Sequence, residues 1–418
     1  MKLSPATLGG TIAAIPSKSA AHRLFIAASL ADRSSSWTLP TSSVDIDTTL
    51  RCMAALGATV QREGNTVHIT PIQHANNEAT IDCEESGSTL RFLLPVSAAL
   101  GVASHFVGRG RLPERPIADF LEVIKSLGAA TDSNQLPLTI TGPLHGGTAA
   151  LPGHVSSQYL TGLLLAAPLL EESLDITLTT PLQSRPYIDL TMDVLRTFGV
   201  QVATDGTHFH IDGNARYRVP EGDRIIEGDW SNAAFFLAAG ALSASVTMTG
   251  LNIESSQGDK AIVDLLRGFG AKVECTEDRI TVSPAPLHAQ TISVKEIPDA
   301  LPILAVIAAQ AEGTTVFTDA ERLRLKESDR IATTTALLEA MGVPCESNAS
   351  SMRVTGVKKL RGNVTVDSAN DHRIAMAAAI AALNCDAPIT LTGANAVKKS
   401  YPHFFQDYAS LGGDPHGI

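Results

Sequence analysis

At 418 residues the chain exceeds one ordinary core and predicts two or three domains. Hydrophobic residues at 44% against 18% charged describe a well-buried protein, while a net charge of −11 and an aromatic fraction of 5% argue against nucleic acid or an anionic membrane as partner. The five cysteines (Cys52, Cys83, Cys275, Cys345, Cys385) are odd in number and lack CxxC spacing, so they read as reduced thiols of a cytoplasmic protein without a metal site. The start, MKLSPATLGGTIAAIP, has no long apolar run and predicts no signal peptide, and the apolar runs near Leu163 and Ile374 are too short to span a bilayer.

In chain order, SKSAAHRLFIAASL from Ser17 predicts a helix so rich in small and apolar residues that it is buried on nearly all sides. An amphipathic helix follows, with Leu50, Met53 and Leu56 on one stripe and Gly57 free to take positive φ just past its end. VQREGNTVHI then reads as a hairpin turning at Gly64. The same order returns five times. The later buried helices are GSTLRFLLPVSAAL from Gly87, SSQYLTGLLLAAPLL from Ser156, DWSNAAFFLAAGAL from Asp229, IPDALPILAVIAAQ from Ile297 and DHRIAMAAAIAALN from Asp371. Pro95 and Pro168 fall inside two of them and are expected to kink or shorten them.

The later stripes are Leu121, Ile124, Leu127 before Gly128; Met192, Leu195, Phe198 before Gly199; and Val263, Leu266, Phe269 before Gly270. Thr335, Leu338, Met341 precede Gly342, and Phe405, Tyr408, Leu411 precede Gly412. Further hairpins turn at Gly206 and at Glu277-Asp278. The six glycines are spaced by 71, 71, 71, 72 and 70 residues, a period that signals one supersecondary unit of strand, buried helix, strand, amphipathic helix and hairpin. Six units make two groups of three, with a boundary expected at Val219-Pro220-Glu221-Gly222-Asp223. The end repeats match the middle ones, which favours closed groups over an open solenoid with capping repeats.

The buried helices all begin with polar residues. The first has Lys18, Ser19 and Arg23; the second Gly87, Ser88 and Arg91; the third Ser156, Ser157 and Gln158. The fourth has Asp229 and Ser231, the fifth Asp299, and the sixth Asp371, His372 and Arg373. Helix N-termini offer free N–H groups and a positive dipole end, so several aimed at one cleft make an anion site. Each Ser or Asp alone reads as an ordinary cap, but a long cation in the first turn opposes the dipole and needs another reason to be there. GRGRLPERP (Arg109, Arg111, Arg115) and RLRLKESDR (Arg322, Arg324, Lys326, Arg330) concentrate further cations. Charge runs are commonly solvated faces, yet several guanidinium forks suit a ligand with more than one anionic group. No phosphate-loop or dinucleotide fingerprint is present, and His372 has no second metal ligand at helical spacing.

The motifs SKSAAHR, ESGSTLR, LPERPI, SSQYLTGLL, SRPYIDLT, PDALP, LKESDR, NDHRIAM and VKKSYPHFF, in this order, resemble the 5-enolpyruvylshikimate-3-phosphate synthase family of enolpyruvyl transferases over essentially the whole chain. The resemblance implies an α/β, two-domain enolpyruvyl transferase fold of six βαβαββ repeats, in two pseudo-threefold domains joined by a two-stranded hinge. The first domain would be 15–226, and the second 1–14 with 227–418. The active site would lie in the interdomain cleft and close on ligands.

It further implies that shikimate 3-phosphate is held by Lys18, Ser19, Arg23, Ser156, Ser157, Gln158, Ser184, Asp299 and Lys326. Phosphoenolpyruvate would be held by Lys18, Gly87, Arg115, Gln158, Arg330, Arg373 and Lys399. Glyphosate, an anionic inhibitor of the family, would take the phosphoenolpyruvate position. Two positions depart from the family pattern: Glu85 and Arg322 stand where asparagines are common, and no binding role is carried to either. Proton accounting requires two transfer groups. Asp299 is assigned to the substrate hydroxyl and Glu327 to C3 of phosphoenolpyruvate, with Lys18 the alternative there or a partner for the leaving phosphate, and His372 in support. No cofactor or metal is required, and the protein is expected to be a cytoplasmic monomer. The rival enzyme that transfers enolpyruvyl to a UDP-amino sugar uses a mobile-loop cysteine, which the stretch from Gly108 to Pro116 lacks.

Overall fold

A computed structural model describes residues 1–222 and 224–417. Asp223 of the expected boundary lies outside the described residues. The chain divides into two compact units, Lys18–Ile226 and Met1–Ser17 with Glu227–Ile418.

Among the described residues the helices alternate as the repeat requires. The buried ones are α1 (Lys18–Ser29), α3 (Gly87–Ala99), α5 (Ser157–Ala166), α7 (Trp230–Leu242), α9 (Leu301–Ala308) and α11 (His372–Ala382). The one-sided ones are α2 (Val44–Leu56), α4 (Ala118–Ser126), α6 (Arg185–Thr197), α8 (Ile262–Phe269), α10 (Arg330–Ala340) and α12 (Phe404–Ser410). Nine of the eleven residues from Ala233 to Ser243 are buried, more than one apolar stripe would cover, and the cause is packing on several sides. In one unit α3 and α1 pack on α5, and in the other α7, α9 and α11 pack on one another, so each loses its exposed face.

All six stripe-ending glycines do take positive φ: 123° at Gly57, 106° at Gly128, 79° at Gly199, 106° at Gly270, 80° at Gly342 and 105° at Gly412. That conformation turns the chain out of the helix at no Cβ cost. Pro168 shortens its helix, which passes into a 3-10 turn over Ala167–Leu169, whereas Pro95 is accommodated inside α3. The fifth buried helix opens on a 3-10 turn, Pro298–Ala300, which puts Asp299 just before α9.

Each complete repeat folds into a small sheet. Glu78–Asp82 pairs parallel with Ala103–Val107, which pairs antiparallel with Leu138–Thr141, and Ala130–Thr131 closes the edge. The parallel pair is bridged by a buried helix and the antiparallel pair follows a one-sided helix, which is the βαβαββ order. The two ends of the pattern are completed from a distance. Lys2–Ser4 inserts between Ile389–Thr392 and Asp414–His416, and Gly10–Ala13 pairs parallel with Val246–Thr249. The first repeat has a three-stranded sheet, with Ile225 bridging parallel to Thr38 at its open edge. Ile15 accepts from the Asp229 N–H and the Ser17 N–H donates to Glu227, so Ile15–Ser17 stay with the first strands of their own unit. Each unit has its own apolar core.

Candidate active site

In the unit Lys18–Ile226, α1 begins with Lys18, whose Nζ lies 2.9 Å from Asp45 Oδ2 in the first turn of α2. That contact is the counter-charge a first-turn lysine needs. Arg23, one turn on, is buried. Its Nη1 donates to the Ser19 carbonyl at 2.6 Å, Nε to Thr191 Oγ1 at 2.8 Å and Nη2 to the Tyr187 carbonyl at 3.2 Å, and it lies over the Phe92 ring. Burial pulls its pKa down to about 10, partly offset by Tyr187, so it remains a cation at neutral pH. Ser156 caps α5 by accepting from the Gln158 N–H. Ser184, before α6, is a buried serine at φ 57°, a conformation that costs free energy and recurs at functional sites.

Gly87 opens α3 beneath two guanidinium groups: a Cβ there would stand 2.5 Å from Arg115 Nη1 and 2.7 Å from Arg91 Nη1. Arg91 Nη1 also donates to Gln158 Oε1 at 3.1 Å, Gln158 Nε2 to Ser88 Oγ at 2.9 Å, and Arg91 Nη2 to the Pro116 carbonyl at 3.1 Å. Gly87, Arg91, Arg115 and Gln158 thus form one positive cluster at a helix N-terminus. Arg109 and Arg111 belong to the same charge run but meet local acids, Asp82 at 3.1 Å and Glu114 at 3.3 Å. Glu85 lies against Gly110, where an added Cβ would meet its carboxylate at 2.5 Å.

In the other unit the fifth and sixth repeats build a denser network. Asp299 Oδ1 accepts from Arg330 Nη1 at 2.6 Å and Lys326 Nζ at 3.2 Å, and Oδ2 lies 3.5 Å from Arg373 Nη2. Arg330 is only 1% exposed; its Nε donates to Asp371 Oδ2 at 2.9 Å and its Nη2 to Glu327 Oε2 at 2.8 Å. Those carboxylates hold its pKa well above the ordinary arginine value despite burial. Burial lowers the Lys326 pKa; Asp299 and Glu327 oppose the shift, while Arg330 and Arg322 add to it. Asp371 caps α11 through the Arg373 N–H and also accepts from Ser328 Oγ at 2.9 Å. His372 is buried beside it, and Lys399 Nζ donates to the Asn370 carbonyl.

The sites expected from the sequence therefore gather in two sets, one in each unit. Sequence reasoning missed Asp45 and Asp259. Asp45 sits where an acid ordinarily complements a helix dipole, so nothing marked it. Asp259 is buried in a 3-10 turn, accepts from the Ser231 hydroxyl, and has its Oδ1 without a hydrogen-bond partner. Arg373 Nη1 donates to the carbonyl of the same Ser231 at 3.0 Å. Burial, with Asp299 and Asp229 adding and Arg373 opposing, raises the Asp259 pKa to about 6. Between its ordinary range and that value the folded state binds the proton more tightly than the unfolded chain. Stability is therefore favoured at low pH and lost as pH rises through about 6. Asp259→Asn is expected to stabilise the protein by roughly 2 kcal/mol at pH 7.5, with no gain below about pH 4. Urea unfolding at both pH values checks this; an equal effect at the two would contradict the burial argument.

No helix among the described residues is long and apolar enough to cross a membrane. A family model described as EPSP synthase (3-phosphoshikimate 1-carboxyvinyltransferase) matches residues 3–408. A 3-phosphoshikimate 1-carboxyvinyltransferase of Clostridium kluyveri is 41% identical over 99% of this chain and 97% of its own. One from Clostridioides difficile is 38% identical, again over 99% and 97%. Among solved structures, an EPSP synthase from Acinetobacter baumannii superposes with a TM-score of 0.82 at 25% identity, covering 98% of each chain. The enolpyruvyl transferase NikO from Streptomyces tendae reaches 0.81 at 19% identity, covering 99% of this chain and 97% of its own, a likeness of fold alone.

Proposed function

The chain belongs to the EPSP synthase (3-phosphoshikimate 1-carboxyvinyltransferase) family, and from that membership we propose how its residues divide the transfer of the enolpyruvyl group from phosphoenolpyruvate to shikimate 3-phosphate. The 5-hydroxyl of shikimate 3-phosphate attacks C2 of phosphoenolpyruvate and loses its proton to Asp299. C3 gains a proton from Glu327, giving a methyl group and a tetrahedral ketal. Loss of a C3 proton and departure of phosphate then restore the double bond in the product. Lys18 is the alternative on the C3 side, or the partner of the leaving phosphate.

The observation that carries this reading is Asp299, a carboxylate within 3.5 Å of three cations, Lys326, Arg330 and Arg373. Shikimate 3-phosphate draws on Lys18, Ser19, Arg23, Ser156, Ser157, Gln158, Ser184, Asp299 and Lys326. Phosphoenolpyruvate draws on Lys18, Gly87, Arg115, Gln158, Arg330, Arg373 and Lys399. His372 acts in support. Five free thiols suit a reducing compartment, and we take the enzyme to be a cytoplasmic monomer. The test is phosphate release from phosphoenolpyruvate with shikimate 3-phosphate or with UDP-N-acetylglucosamine as acceptor. Release with the sugar nucleotide alone would reject the assignment.

Gly87 provides a sharper probe of the phosphoenolpyruvate subsite. Gly87→Ala places a methyl group against the Arg115 and Arg91 guanidinium groups. It should raise the phosphoenolpyruvate KM and the glyphosate inhibition constant by about tenfold or more. The shikimate 3-phosphate KM should stay near its original value. An unchanged inhibition constant would detach Gly87 from that subsite.

A further inference from the structure

The segment between strand Thr314–Thr318 and α10 carries Lys326 and Glu327. Leu323 is its buried apolar anchor, but Leu325 is 47% exposed, so beyond Leu323 the chain is held by polar contacts. Those contacts lead to a hairpin turn outside the site. Asn348 Oδ1 accepts from the Ser350 and Ser351 N–H groups, both at 2.9 Å, and so fixes the turn between strands Cys345–Ser347 and Met352–Thr355. Three successive carbonyls of that turn are then used as acceptors. Ser350 takes the Ala320 N–H at 2.8 Å, Ala349 takes Arg324 Nε at 3.3 Å, and Asn348 takes Arg324 Nη2. The remaining arm of the fork, Arg324 Nη1, donates to Asp329 Oδ2 at 2.7 Å. Asp329 Oδ1 meanwhile caps α10 through the Ala332 N–H at 3.0 Å.

Resting on the reading of Lys326 as a shikimate 3-phosphate ligand, we infer that Arg324 is a positioning residue: its guanidinium locks the Lys326–Glu327 segment between the 348–350 turn and the cap of α10. Arg324 lies two residues before Lys326, and Asp329 lies three after it. A tie at both ends leaves the intervening residues little freedom, and Lys326 Nζ is thereby presented to Asp299 at 3.2 Å. Arg330 is held from outside this segment as well, by Asp299 and by the buried Asp371. Loosening Arg324 should therefore disturb Lys326 and spare the phosphoenolpyruvate groups. Lysine at 324 keeps the charge but cannot span three acceptors in fixed directions.

The test uses the full chain and the phosphate-release assay. Arg324→Lys should raise the shikimate 3-phosphate KM about tenfold and lower kcat severalfold, with the phosphoenolpyruvate KM changed less than about twofold. Asn348→Ala acts on the same turn and should give the same pattern at about threefold. That second variant decides the matter if Arg324→Lys does not fold. A parallel rise in both KM values, or no change in the shikimate 3-phosphate KM of either variant, overturns the inference. Lys326→Ala serves as the separate control. If it leaves the shikimate 3-phosphate KM unchanged, the reading of Lys326 is wrong and the inference falls with it.

Discussion

Replacing Asp299 by asparagine is expected to lower kcat about a hundredfold or more, the scale of losing a general base, while the shikimate 3-phosphate KM changes far less. The resting geometry gives the reason. Asp299 stands within 3.5 Å of Lys326, Arg330 and Arg373, three counter-charges that favour the carboxylate form of an acid. On the proposed reading, the phosphate and carboxylate groups of the substrates compete for those same cations. Cations drawn to the ligands would leave Asp299 short of counter-charge and beside anions, which favours its taking the proton that the 5-hydroxyl must lose. Asparagine keeps the volume and one acceptor oxygen but cannot take that proton. Alanine at 299 would add a second fault, because it strips partners from a buried arginine, so its kinetics would mix chemistry with misfolding. A near-normal kcat in the folded Asp299→Asn protein would remove Asp299 from the proton transfer and leave Lys18 and Glu327 to divide the two steps.

The repeat was legible because its signals are local. A stripe at positions three apart, followed by glycine, specifies a helix and its end whatever lies around it, and all six glycines took positive φ. Burial of the small-residue helices was legible for the same reason. What the sequence could not express was side-chain pairing between helices. Lys18 with Asp45 and Arg330 with Asp371 are 27 and 41 residues apart, and their charge patterns resemble ordinary helix caps and solvated runs. Arg324 shows the limit well. It stands in the same charge run as Lys326 and Arg330, yet it binds backbone carbonyls of a turn that no periodicity points to. Asp259 is invisible for a different reason: a lone acid after glycine reads as a surface turn, and only the fold buries it.

Arg330→Met should destabilise its unit by roughly 3–5 kcal/mol, the cost of leaving buried charge without its partner. The guanidinium is almost fully buried and reaches three carboxylates with three different nitrogens: Nε to Asp371, Nη1 to Asp299 and Nη2 to Glu327. Methionine fills the space of the stem but leaves those acids facing one another. Arg330→Lys should lose nearly as much, since one ammonium cannot serve three directions at once. The two tryptophans allow the effect to be located, because Trp37 lies in one unit and Trp230, fully buried at the start of α7, in the other. In a Trp37→Phe background, urea unfolding followed by fluorescence reports on the unit that holds Arg330. Adding Asp371→Asn to Arg330→Met should recover a substantial part of the loss, because it removes the most deeply buried of the three unpaired charges. If Arg330→Met shifts the Trp230 transition by less than about 1 kcal/mol, the three ion pairs are too well solvated to hold the unit together. The network would then serve ligand binding alone, and its effect would appear only in the phosphoenolpyruvate KM.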